Sequence, residues 1–276
     1  MFDTHSYQWS GPNETSSFVD DHPGARYGHT ATIVDMHPPR IMIYGGMVAS
    51  KTYEFDAPDS MDSPTADTNM GSGIAYMNNR RKGKNKSTNA EEPDEAVYFL
   101  ELNSDSWNWS RPMINKGSGL KPLPRLEHSA NKVSANEVAI FGGWTDKPTN
   151  ELWYFNFVDL EWKAAVTSGI LPRPRFRHTS EVIGSKLFIL GGVDNGEDNC
   201  DGVRHLSFHE LNLETMTWSH PEIRGGNPFP RSGHCSSVIG AKSIVIFGGK
   251  RNNEVNNLHL FSLRALGCSV NLLTVF

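Results

Sequence analysis

Several groups of residues in this 276-residue chain carry chemistry that depends on how they are placed. Glu197, Asp201 and His205 stand four apart, as E-x-x-x-D-x-x-x-H. Two carboxylates and an imidazole suit Fe(II) or a similar divalent ion. Cys235 directly follows His234, the residue types of a thiol nucleophile and its base. Adjacent side chains of a strand point to opposite faces, so these two are poorly placed to act together. An Arg-x-x-His occurs four times, at Arg26/His29, Arg125/His128, Arg175/His178 and Arg231/His234. Arginine recognises carboxylates and phosphates through paired hydrogen bonds. The sequence has no G-x-S-x-G, no H-E-x-x-H and no phosphate-binding glycine loop.

Composition narrows the classes further. The formal net charge is -5, which argues against a dedicated nucleic-acid binder. Apolar runs such as Leu187 to Leu190 and Ile244 to Phe247 are four residues long, against about 20 for a membrane helix, so no membrane partner is expected. The opening MFDTHSYQW lacks the basic and apolar regions of a secretory signal. Cys200, Cys235 and Cys268 cannot all pair and form no C-x-x-C, which excludes a disulfide scaffold and a thiolate zinc site. The expectation is a reduced compartment: cytoplasmic, or nuclear.

The elements that position these residues repeat. A diglycine closes an apolar run four times, in IMIYGG ending at Gly46, VAIFGG at Gly143, LFILGG at Gly192 and IVIFGG at Gly249. Each is preceded by an Arg-x-x-His and followed by a second apolar strand: AVYFLEL, ELWYFNF, VRHLSFHEL and NLHLFSL. A tryptophan closes the first three units, at Trp107 or Trp109, Trp162 and Trp218. The diglycines are 97, 49 and 57 residues apart, and removing an insertion at 50–95 brings the first interval to 51. The period is therefore about 50 residues. The runs are apolar at consecutive positions, as in strands buried on both faces. No segment shows an apolar period of 3.6.

This pattern resembles the kelch-repeat family, over about 26–263 apart from the insertion. The resemblance implies an all-β fold, a kelch β-propeller with one four-stranded blade per repeat. The units lie at about 26–112, 124–165, 174–221 and 230–263, after an N-terminal segment 1–25 and before a divergent tail 264–276. Kelch propellers usually close with six or seven blades, and four are recognisable here. The fourth unit lacks a closing tryptophan, whereas residues 7–10 read as a closing strand with no blade before it. Either that strand completes blade four, or the propeller is incomplete and the chain is a fragment of a larger kelch protein. The incomplete reading is preferred, and open blade edges would then favour self-association.

Antiparallel strand order puts the Arg-x-x-His linkers and the loops after each diglycine on one surface, the usual place for binding residues. Candidate partner-binding residues there are Arg26, Tyr27, Arg125, Trp144, Arg175, Phe176, Arg177, Arg231, Lys250 and Arg251. Arginine and aromatic side chains dominate interface energetics. The four repeated arginines and histidines have a competing role as parts of the blade itself. Trp144, Arg177 and Lys250, which do not repeat, are the stronger functional candidates.

The insertion at 50–95 is polar and expected to be disordered. It carries the basic cluster Arg80, Arg81, Lys82, Lys84 and Lys86, the type of run that serves as a nuclear-import address or nucleic-acid patch. Ser63–Pro64 is a minimal proline-directed phosphorylation site.

The sequence thus reads as a non-catalytic protein-interaction module with no cofactor and no catalytic or metal residues assigned, docking acidic or phosphorylated protein segments on its loop face. The alternative is a metal-dependent enzyme, because the spacing of Glu197, Asp201 and His205 is similar to the iron-ligand motif of the nitrile-specifier proteins, which are also kelch propellers.

Overall fold

A computed structural model describes residues 2–3, 8–9, 22–48, 94–103, 106–115, 119–194, 208–221, 223–224, 228–250, 253–264 and 267–271. Among them there are strands and turns and no helix, hence no helix long and apolar enough to cross a membrane. Sixteen strands form four antiparallel blades. Blade one comprises β1 (Thr30–Met36), β2 (Pro39–Tyr44), β3 (Val97–Leu102) and β4 (Trp107–Ser110). Blade two comprises β5 (Ser129–Lys132), β6 (Glu137–Phe141), β7 (Leu152–Asn156) and β8 (Glu161–Ala164). Blade three comprises β9 (Thr179–Ile183), β10 (Lys186–Leu190), β11 (Phe208–Asn212) and β12 (Thr217–Ser219). Blade four comprises β13 (Cys235–Ile239), β14 (Ser243–Phe247), β15 (Leu258–Arg264) and β16 (Gly267–Asn271). The arrangement is the four-bladed β-propeller type that the repeats implied.

The consecutive apolar runs have the predicted cause. The second strands of blades two and three lie between neighbouring blades, so both of their faces are covered, and those of blades one and four each pack on one neighbour. Met42 and Tyr44 of β2 pack with Val138 and Ile140 of β6. Ala139 and Phe141 of β6 pack with Leu187 and Ile189 of β10, and Phe188 and Leu190 of β10 with Ile244 and Ile246 of β14. The tryptophans fill the gaps between blades: Trp162 of blade two lies 5.0 Å from Tyr44 of blade one, and Trp218 of blade three 5.4 Å from Phe141 of blade two. Trp109, opposite Leu100, holds the register position of Trp162 and Trp218 and so is the closing tryptophan of blade one.

The innermost strands pack in the order β1, β5, β9, β13. Short linker strands cover the outer edges of blades three and four. Ser168–Gly169 runs parallel to β12 of blade three, and Ile223–Arg224 parallel to β16 of blade four.

Two readings of the chain ends differ from what is observed. Blade four does have a fourth strand, β16, formed inside the segment 264–276 that looked divergent. It lacks the tryptophan signal because Val270 occupies that register position, opposite Phe261. At the other end, Gln8–Trp9 pairs with Phe2–Asp3 rather than with blade four, whose outer position is already filled. The insertion 50–95 lies outside the described residues except Asp94 and Glu95.

Candidate partner-binding face

The Arg-x-x-His linker and the loop after the diglycine meet in every blade. Arg26–Tyr27 pairs with Met47–Val48, Arg175–Phe176 with Val193–Asp194, Leu126 with Trp144, and Ser232 with Lys250. The common surface read from strand order is therefore a set of four short backbone pairings.

The repeated arginines lie inside this construction. Arg125, Arg175 and Arg231 are almost fully buried, and so is Phe176. In each blade one guanidinium nitrogen donates to the carbonyl of the first diglycine residue. Arg26 Nη1 reaches Gly45 O at 3.0 Å, Arg125 reaches Gly142 O at 3.0 Å, Arg175 reaches Gly191 O at 2.7 Å and Arg231 reaches Gly248 O at 3.0 Å. The second nitrogen binds a side chain at the start of the third strand or just before it: Asp94 for Arg26, Glu151 for Arg125, and Asn257 and His259 for Arg231. Burial lowers the pKa of Arg175 to about 10. These guanidinium groups are thus turned into the fold, onto the diglycine carbonyls, as the competing role in the blade itself requires. The reason is physical: a turn between two strands leaves its carbonyls without a ladder, and a buried carbonyl needs a donor.

The histidines are the matching contacts between blades. His128 Nε2 is paired with Thr30 Oγ1, His178 Nε2 with Ser129 Oγ and His234 Nε2 with Thr179 Oγ1, each at 2.9 Å. Burial, with the neighbouring arginines adding to it, lowers the pKa of His128 to about 3 and of His234 to about 4, and holds His178 well below its usual value. Cys235 is exposed while its neighbour His234 is buried against Thr179, so the pair is not assembled as a dyad.

Between each Arg and His one residue has positive φ: Gly28 (69°), Glu127 (55°), Arg177 (55°) and Gly233 (62°). A backbone chain links them across the blades. Glu127 N–H donates to Gly28 O at 2.7 Å, Arg177 N–H to Glu127 O at 3.0 Å, and Gly233 N–H to Arg177 O at 2.9 Å. In the two middle blades this position carries charge, and Arg177 Nε donates to Glu127 Oε1 at 2.9 Å. Both side chains keep part of their surface in solvent. They line a cavity of about 580 Å³ with Lys250 and Glu254 of blade four.

Of the other candidates, Tyr27 is 42% exposed and Lys250 is exposed. Trp144 is half-buried, its ring meeting Phe176 edge-on at 5.1 Å, so it spans two blades as well as edging the surface. Arg251, and all of Glu197, Asp201 and His205, lie outside the described residues. Among the described residues no group of three or more His, Cys, Asp or Glu could hold a metal ion.

Comparison with known proteins agrees with this construction. A model of the KLHDC2/KLHL20/DRC7 Kelch-repeats domain matches residues 82–267. The chain belongs to the kelch-repeat family. Human host cell factor 2 is 32% identical over 262 residues, which is 85% of this chain and 32% of that protein. Tip elongation aberrant protein 1 of Schizosaccharomyces pombe is 31% identical over 58% of this chain and 14% of its own length. The bovine Rab9 effector protein with kelch motifs is 30% identical over 68% of this kelch chain and 50% of its own. The kelch chain thus spans half or less of the length of these relatives.

Glu127 was missed in the sequence. It occupies an unremarkable x in Arg-x-x-His, and its role needs the blades side by side. Lining up Gly28, Glu127, Arg177 and Gly233 as one repeated position would have exposed the charge pair.

Proposed function

We propose that this kelch chain is a non-catalytic protein-interaction module that takes an acidic or phosphorylated segment on the face formed by its linkers and post-diglycine loops. The observation that carries this reading is the cavity where Arg177 and Lys250 come together beside Glu127. Arg177 reaches Glu127 through Nε, which fixes the guanidinium plane while leaving it partly in solvent. An oriented guanidinium sharing a cavity with a lysine suits a carboxylate or phosphate. Tyr27 and Trp144 supply aromatic surface on the same face. Kelch relatives include a protein named as a Rab9 effector, a name that fits a protein-binding role. The module works in the cytoplasm or nucleus in this reading.

The test uses synthetic peptides: one glutamate-rich, one bearing phosphoserine and a neutral control. The charged peptides should bind in preference to the control. Arg177→Glu and Lys250→Glu should each weaken that binding at least tenfold without changing the melting temperature. Binding that ignores both reversals places the partner elsewhere.

A further inference from the structure

Three boundaries between blades are built alike, and among the described residues the chain carries the two halves of a fourth that are not joined to each other. At each made boundary, the second diglycine residue donates its N–H to the carbonyl of the next blade's arginine: Gly46 to Arg125 at 2.9 Å, Gly143 to Arg175 at 2.8 Å and Gly192 to Arg231 at 2.9 Å. The next blade's histidine ring lies over the first glycine, where a Cβ on Gly45 or Gly142 would come within 2.7 or 2.9 Å of its Cε1. The residue before the diglycine is buried beneath that contact: Tyr44 and Phe141 at 1% and Leu190 at 0% exposure.

Blade four presents the same receiving surface with no occupant among the described residues. Among the described residues, Val255 O at 3.6 Å is all that a Cβ on Gly248 would meet. Phe247, the counterpart of Tyr44, Phe141 and Leu190, is 50% exposed. In β13 the alternate residues Cys235, Ser237 and Ile239 are exposed, with Ile239 at 56%. Their counterparts Thr30, Thr32 and Val34 in β1 face blade two.

Blade one presents the inserting half. Its linker is built like the three that dock, with the Arg26 guanidinium on Gly45 O, yet His29 is exposed. Ala31 and Ile33 of β1, the alternate set facing away from blade two, are exposed too. Ile41, Ile43, Tyr98 and Trp109 form a cluster confined to this one blade, whereas the other clusters each span two. Trp109 remains half-exposed against His22, whereas Trp162 and Trp218 are buried.

We propose that blade four of one copy receives blade one of a second copy through this repeated junction. His29 enters over Gly248 and Gly249, the Arg26 carbonyl accepts from Gly249 N–H, and Val245 and Phe247 cover Ile41, Ile43 and Trp109. The two surfaces differ and complement each other, so the contact is head-to-tail. It returns on itself when two copies make it reciprocally. Two copies supply eight blades, the upper end of the roughly four to eight that propellers use. The contact is sheet face on sheet face, since linker strands cover the outer edges of blades three and four.

Light scattering on the whole chain over a hundredfold concentration range tests this. The mass should rise from 30.7 kDa to twice that value. Phe247→Glu on the receiving face and Ile33→Glu on the inserting face should each give monomers with unchanged circular dichroism. Ile239→Glu serves on the receiving face if Phe247→Glu does not fold. Mixing a receiving-face variant with Ile33→Glu should restore a one-to-one dimer, because one intact junction then remains. A wild-type chain that stays monomeric overturns the proposal and leaves this surface to blades of another polypeptide. Variants that still dimerise alone, or a mixture that stays monomeric, overturn it as well.

Discussion

His178 Nε2 of blade three lies 2.9 Å from Ser129 Oγ of blade two, and both side chains are buried. The same contact recurs between His128 and Thr30 and between His234 and Thr179. The histidine of the repeat is therefore a bond between blades.

Removing the hydroxyl leaves a buried imidazole nitrogen without its partner. Ser129→Ala should lower stability by about 1–3 kcal/mol, the usual cost of an orphaned buried polar group. Ser129→Thr, which restores the hydroxyl used at Thr30 and Thr179, should recover part of the loss. Urea unfolding followed by tryptophan fluorescence measures both.

The same histidines set a pH dependence. His128, His178 and His234 have lowered pKa values in the folded chain, chiefly through burial. Below pH about 6.5 the unfolded chain binds protons that the folded chain does not. Stability is then full above pH about 6.5 and falls as the pH drops toward the folded values. Each histidine removes up to about 1.4 kcal/mol per pH unit in that window. The urea midpoint should fall steadily from neutral pH to pH about 4.5. A midpoint that does not move would mean the rings are protonated in place.

Two arginines from the motifs of neighbouring blades, Arg125 at its first position and Arg177 at its third, should behave oppositely on substitution. Arg125→Met removes donors from Gly142 O and Glu151 inside the fold and should cost about 2 kcal/mol or more. Arg177→Met breaks a partly solvated pair and should cost about 1 kcal/mol or less. Peptide binding should respond in the reverse order, with Arg177→Met weakening it directly.

Equivalent glycines report whether a boundary is occupied. Gly142 and Gly248 have similar φ, 64° and 67°, so alanine strains both backbones by about 1–2 kcal/mol. At Gly142 the new Cβ also meets Arg175 O at 2.8 Å, whereas at Gly248 the nearest described atom is 3.6 Å away. Gly142→Ala should lower the melting temperature clearly more than Gly248→Ala in the monomer. At concentrations where copies pair, Gly248→Ala should also weaken pairing.

The blades were legible because their signals are local. A diglycine after four apolar residues, an arginine before it and a tryptophan after it mark three strands within one repeat. The strand β16 was not legible, because Val270 at the tryptophan position carries no repeat signal and the strand is defined by pairing with β15. The direction of the arginines was not legible for a related reason. Sequence places Arg125 beside a loop face but says nothing about whether its guanidinium turns outward or onto Gly142 O. That choice is made by carbonyls the diglycine turn leaves unpaired, a demand visible only once the turn exists. Trp144 was a fair surface candidate, yet its packing on Phe176 depends on the neighbouring blade.

One residue per boundary serves two blades at once. The Arg175 side chain binds Gly191 within its own blade, while its carbonyl accepts from Gly143 of the blade before. Among the described residues, cohesion along the arc is thus a series of like nearest-neighbour links, with no long-range tie. Such a structure frays from its ends. Amide hydrogens of blades two and three, linked on both sides, should exchange last, and those of β1 and β13 earlier. Joining the two ends would remove that gradient, turning a stack with two loose ends into a continuous belt.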